Sequence, residues 1–133
     1  MKVAIVGSRK YISKNKIKEF IFKLKEKYGD DVSIVSGGCR YGADKYAKKY
    51  ALEFGIEYIE YPPIHETHNV YCPEPSYLYG KKYAVWNFFK RNKQIAKFSD
   101  IVVGFIPEGV KSSGTESTLK YAKEFKKKIM VII

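Results

Sequence analysis

Five short apolar runs, rich in β-branched residues and separated by segments of helical period, constrain this chain more than any other feature. Lys2–Ser8 (KVAIVGS), Val32–Ser36, Ile56–Tyr61, Ile101–Ile106 and Ile129–Ile133 are near-continuously apolar and too short for buried helices. Runs of that kind are strands buried on both faces, as in a parallel sheet covered by helices. Between them the spacing predicts four helices. The first, capped by Ser13 or Asn15, reaches about Tyr28 and carries Ile17, Phe20, Ile21, Leu24 and Tyr28 on one stripe. The second spans Tyr41–Phe54, with Ala43, Ala47, Tyr50 and Ala51 inward and Gly55 as its stop. Lys81–Ser99 and Gly114–Lys127 complete the set. The expectation is a single α/β domain over residues 1–133, Rossmann-like, with a five-stranded parallel sheet in the order 3-2-1-4-5.

Residues 62–80 interrupt this rhythm with prolines, His65, His68, Cys72 and several tyrosines, and no periodicity. A stretch longer than the usual ~12–15 residues of a structureless connector reads as an insertion or lid loop. His65, His68 and Cys72 match no standard zinc spacing, so no metal and no cofactor are expected. Tyr71, Tyr77, Tyr79, Tyr83 and Trp86 read as core or lid packing, or as a surface for stacking a base.

The hydrophobic share of 45% excludes a disordered chain despite a formal charge of +11, and no apolar run approaches the ~18–20 residues of a membrane span. The N-terminal apolar stretch is too short for a signal peptide and reads as a strand. Cys39 and Cys72 lack Cys-x-x-Cys spacing, which points to a reducing, cytoplasmic setting. Most lysines fall between apolar residues at helical spacing and are solvated helix faces. Arginine is different. Of the 25 basic residues only Arg9, Arg40 and Arg91 are arginines, and a guanidinium grips phosphate or carboxylate with two parallel hydrogen bonds.

In the 3-2-1-4-5 order, ligands bind beyond the carboxyl ends of the strands where the winding reverses. Gly7-Ser8-Arg9, Ser36-Gly37-Gly38-Cys39-Arg40 and Pro107–Thr115 all fall on that edge. Glycine lets backbone approach a ligand closely, and the free N–H groups of the following helix attract an anion. Phosphate is the natural guest. A dinucleotide enzyme is disfavoured, because G-x-G-x-x-G and an acid ending the second strand are absent; so is the G-x-x-x-x-G-K-[ST] loop. Ser113 with Glu116 reads as a capping box, while Gly114 and Thr115 read as a phosphate site with Glu116 near a sugar. Asp44 reads as a helix-dipole partner in the first turn of its helix, or as a ligand contact.

Gly7-Ser8-Arg9, Ser36–Asp44 (SGGCRYGAD), Arg91-Asn92 and Gly114-Thr115 together resemble the SLOG superfamily of Rossmann-like nucleotide-binding proteins. The likeness is to its small stand-alone members, relatives of the lonely-guy phosphoribohydrolases and of DNA-processing protein A. It implies a site for a nucleotide or an ADP-ribose-like or cyclic nucleotide signal. The resemblance places Gly7, Ser8 and Arg9 on one side and Gly37 and Gly38 on the floor. Asp44 falls near the turn, Arg91 and Asn92 come from the third helix, and Gly114 and Thr115 take phosphate. The lonely-guy enzymes carry PGGxGTxxE, whereas here Pro-Gly-Gly is missing and the acid follows Thr115 directly. Whether the chain is an enzyme is left open.

The first expectation is therefore a protein that senses or sequesters a nucleotide-derived ligand, with no membrane partner. The alternatives are a nucleotide N-glycosidase using Glu116 or Asp44, and a single-stranded nucleic-acid module. A homo-oligomer is expected, with the aromatic-rich third helix as the interface.

Overall fold

The computed structural model describes residues 1–133. Its strands are β1 (Lys2–Gly7), β2 (Ser33–Ser36), β3 (Glu57–Glu60), β4 (Ile101–Phe105) and β5 (Lys128–Ile132). The helices are α1 (Lys14–Tyr28), α2 (Gly42–Glu53), α3 (Trp86–Phe98) and α4 (Ser113–Glu124). All strand pairs are parallel, in the order β3-β2-β1-β4-β5. No helix is long and apolar enough to cross a membrane.

The sheet explains the unbroken apolar runs. Along β1, Val3 and Ile5 point into one core with α1 and α2, while Ala4 and Val6 point into a second core on the opposite face. The first core closes around Phe105, whose ring meets Tyr11 and Phe20 edge-on at 5.4 and 5.8 Å. Burying such a side chain fully contributes roughly 1.5–3 kcal/mol. The second core is thinner, with Ile95, Ala96 and Ala122 from α3 and α4 against Val35 and Val102.

Register brings the three turns level. Gly7 lies beside Phe105, and β2 ends at Ser36, one residue beyond its Val35–Ala4 pair with β1, so the turns after β1, β2 and β4 share one edge. At that edge the chain enters α2 through Gly42, whose φ of +66° strains any residue with a Cβ. A side chain there would also drive into Ser8 O and the Arg9 backbone.

Two expectations are corrected. The third helix starts at Trp86, not Lys81, so the irregular segment runs on to Val85. Lys81–Val85 are all exposed and have no apolar stripe to bury, which leaves a helix there without tertiary support. The capping box at Ser113 also does not form. Ser112 occupies the cap position, and its hydroxyl bonds the Thr115 hydroxyl at 2.7 Å instead of a backbone N–H. Glu116 is exposed and its carboxylate makes no hydrogen bond.

Candidate functional site

The three glycine turns meet at the C-terminal edge but differ in what they leave open. After β1, the Ser8 N–H donates to Phe105 O at 3.1 Å, and Ser8 O accepts from the N–H groups of Tyr11 and Ala43. The Lys10 N–H donates to Ser8 Oγ at 3.0 Å. Gly7 is held for space, since a Cβ would meet Phe105 O and the Ala43 methyl. This turn is a strut that joins β1, β4 and α2, and Arg9 and Lys10 project from it exposed.

The turn after β2 is also occupied by the protein's own groups. The Gly38 N–H donates to Ser36 Oγ at 3.3 Å and the Cys39 N–H to Asp44 Oδ2 at 3.2 Å. Gly37 O accepts from Arg91 Nη1 at 2.7 Å. Arg91 also donates through Nε to Asn92 Oδ1 at 3.1 Å, while its Nη2 makes no hydrogen bond. Gly38 has φ +76°, which strains any other residue, and sits so close over the Glu60 carboxylate that a Cβ would force that carboxylate to move. The amides of Gly38 and Cys39 are spoken for, so this turn is not an open anion nest.

The turn after β4 is the open one. The N–H groups of Ser113, Gly114 and Thr115 find no acceptor in the protein; the Glu116 N–H is the first to be bonded, to Ser112 O at 2.9 Å. Free amides at a helix start, together with the helix dipole, attract an anion. Asn92 Nδ2 reaches Gly114 O at 3.4 Å and ties this turn to α3.

These elements enclose a cavity of about 440 Å³. Gly7, Ser8, Arg9, Gly37, Asp44, Arg91, Asn92, Gly114 and Thr115 all line it. Gly38 and Arg40 open instead onto an adjoining hollow of about 200 Å³, which shares Arg9, Gly37, Cys39, Phe88 and Arg91 with the first. Glu116 lines neither. Lys10 and Lys111 add cations to the larger cavity, and Val85, Phe88, Phe89 and Ile95 form its apolar wall. Cys39 and Lys111 lie in turns that the sequence had already placed at this edge, but it did not single out either residue, and it missed that wall.

One carboxylate, Asp44, lines the larger cavity. Burial pushes its pKa from 3.8 up to about 6, against the opposing pull of Arg91 and of the Cys39 N–H; nearby Glu60 raises it a little further. Glu60 is the residue that sequence reasoning did not see at all. It is 5% exposed and accepts from Tyr58 Oη at 2.8 Å and from Asn69 Nδ2, with Lys48 Nζ at 3.4 Å. Burial, with Glu60 next to it, keeps the Tyr58 phenol protonated far above its usual range. Glu60 thus braces the Gly38 turn from below. The one available signal was an acid at the end of β3, beside Ser36.

His65, His68 and Cys72 are partnered separately. His65 Nδ1 is 3.1 Å from Asn87 Nδ2, His68 Nε2 is 3.0 Å from Glu74 O, and Cys72 Sγ donates to Tyr79 Oη at 3.2 Å. Of the aromatic group, Tyr71 packs edge-on against Tyr58 of β3 at the margin of the first core and Tyr79 packs on His68 inside the loop, whereas Tyr77, Tyr83 and Trp86 are 73%, 65% and 61% exposed.

A parallel sheet in this order, with an open helix N-terminus and a basic cavity beyond its carboxyl ends, defines a Rossmann-like α/β domain with its candidate site at the edge where such sheets bind ligands. The chain belongs to the YspA, cpYpsA-related SLOG family, YAcAr, whose model matches residues 1–68. No curated protein matches it in sequence. Among solved structures it is similar to DNA processing protein A from Helicobacter pylori, described for its single-stranded DNA binding mode. The TM-score is 0.72 at 24% identity, over 98% of this chain and 64% of that one. It is also similar to the molybdenum cofactor binding protein of Rippkaea orientalis, with TM-score 0.69 and 20% identity over 98% and 74%. The molybdenum cofactor carrier protein of Chlamydomonas reinhardtii follows, at 0.66 and 18% over the same shares. The chain spans less than two thirds of the Helicobacter protein, and at these identities the likeness is one of fold.

Proposed function

We propose that the protein binds a nucleotide or a nucleotide-derived signalling ligand in the larger cavity and acts as its sensor or sequestering protein. The observation that carries this reading is the set of three unpartnered amides at Ser113–Thr115, opening into a space lined by Arg9, Lys10, Arg91 and Lys111. Phosphate sits on those amides, where it meets the helix dipole and exposed cations and displaces no protein hydrogen bond. The volume of about 440 Å³ lies within the ~300–1,000 Å³ of small-molecule sites. The Phe88–Phe89 wall offers the rest of the ligand an apolar, aromatic face.

The test is native mass spectrometry and calorimetry with nucleoside monophosphates, ADP-ribose, cyclic ADP-ribose and the parent nucleosides. Phosphorylated members should bind and the nucleosides should not. Arg9→Ala should weaken binding about tenfold or more without lowering the melting temperature, since Arg9 is exposed. No binding by any phosphorylated compound would overturn the reading. Free base accumulating during incubation would make the protein an N-glycosidase, with Asp44 as the carboxylate that lines the cavity.

A second reading, single-stranded nucleic acid, is favoured by a different observation. Tyr83, Val85 and Trp86 stand exposed beside the Phe88–Phe89 wall of a basic cavity. Exposed aromatics stack bases of any identity. Tight, salt-dependent binding of oligonucleotides that Trp86→Ala weakens would support it.

A further inference from the structure

We propose that Asp44 is the cavity's reader of a sugar hydroxyl, so that the ligand is a phosphorylated sugar unit with its phosphate on α4 and a ring hydroxyl donating to Asp44 Oδ1. The inference rests on the phosphate reading above and deepens it.

Asp44 is nine-tenths buried and lines the cavity, yet only half of its carboxylate is used. Oδ2 accepts from the Cys39 N–H, and Oδ1 accepts from nothing. No cation stands within ion-pair distance, because the single ion pair of the structure is Lys48–Glu60. Arg91 and Arg9 act on Asp44 only through their field, and Arg91 has committed Nε and Nη1 to Asn92 and Gly37. Oδ1 is open to the cavity rather than sealed in the core, so a ligand that covers it must bring an N–H or O–H in place of solvent.

The ligand's charge has to be elsewhere. A phosphate beside Asp44 would set two anions together in a desolvated site, whereas the α4 amides and Lys111 suit it well. Asp44 follows β2 and the α4 amides follow β4, with β1 between them. Two strand spacings separate those ends by about 10 Å. A pentose 5-phosphate with one hydrogen bond at each end bridges such a span. The ligand is thus anionic at one end and a hydrogen-bond donor at the other.

The experiment is a titration of the protein with inorganic phosphate, ribose 5-phosphate, 2-deoxyribose 5-phosphate, AMP, and 2′-deoxy- and 3′-deoxy-AMP. For the wild type, loss of at least one hydroxyl should weaken binding tenfold or more, since a site built around a hydroxyl rejects the analogue that lacks it. In Asp44→Asn the amide oxygen takes over the Cys39 N–H and a neutral NH2 replaces the charged acceptor, so the hydroxyl can no longer donate to a carboxylate and is left with a weaker bond in the reverse direction. Inorganic phosphate should bind the variant as before, and the preference for ribo over deoxy compounds should fall severalfold; an undiminished preference would overturn the assignment to Asp44. Equal affinity of the wild type for all sugars, with phosphate still bound, overturns the hydroxyl role and leaves the phosphate site standing. Loss of affinity on replacing AMP by IMP, without deoxy discrimination, would assign Asp44 to a base amine and likewise overturn it. If neither phosphate nor any phosphorylated compound binds, the phosphate reading falls and takes this inference with it.

Discussion

Replacing Asp44 by asparagine should make the protein more stable at neutral pH, and the gain should disappear in acid. In the folded chain Asp44 has its pKa raised from 3.8 to about 6, because burial penalises its charge more than Arg91 and the Cys39 amide reward it. A carboxylate with a raised folded-state pKa supports folding most fully below its unfolded value. That support is lost as the pH climbs through the folded one. The shift of about two units corresponds to roughly 3 kcal/mol at pH 8, with about 1.4 kcal/mol per unit. Asparagine carries no charge at any pH, and its oxygen still accepts the Cys39 N–H, so it avoids that cost without breaking the turn. Urea unfolding of both proteins at pH 4 and pH 8 measures the difference. The variant's advantage should grow by roughly 2–3 kcal/mol between the two, most of it between about pH 4 and pH 6 and little above, with unchanged m-values. Other titrating groups cancel in the comparison. An advantage that is flat with pH, or a variant less stable at pH 8 than at pH 4 relative to wild type, would refute the reasoning. A stabilising substitution at a cavity carboxylate is the signature of a residue kept for binding at the expense of stability.

Gly42→Ala should destabilise the fold by about 2 kcal/mol or more in urea unfolding, since the left-handed φ and the collision with Ser8 O and the Arg9 backbone add. Arg91→Lys should cost about 1–3 kcal/mol on the same measurement, because an ammonium cannot serve Gly37 O and Asn92 Oδ1 together. Glu60→Gln should cost about 1–2 kcal/mol, chiefly from weakened hydrogen bonds to Tyr58 and Asn69; Lys48 is 39% exposed and its ion pair adds little. Trp86→Ala should leave stability within about 0.5 kcal/mol in a thermal melt, its ring being mostly in solvent beside Phe89.

The sheet was legible in the sequence because a strand buried on both faces has to be apolar at every position, as Val3–Val6 and Val102–Val103 are. Strand order followed from crossover handedness. The level at which Gly7, Gly37 and Gly114 meet followed from that order, which is why most of the cavity's lining residues could be named in advance. Local pattern was silent on three other matters. It showed three glycine turns as equivalent anion sites, when Ser36 Oγ and Asp44 had already claimed the amides of the second. It counted Glu60 as an ordinary strand residue, although it lies buried under Gly38. It extended α3 back to Lys81, where nothing in the tertiary structure covers a helix. The physical reason is common to all three. Apolar periodicity and turn chemistry are properties of neighbours along the chain. Whether an amide is free, an acid is buried or a helical turn has something to pack on depends on residues tens of positions away. Only the folded chain brings those together.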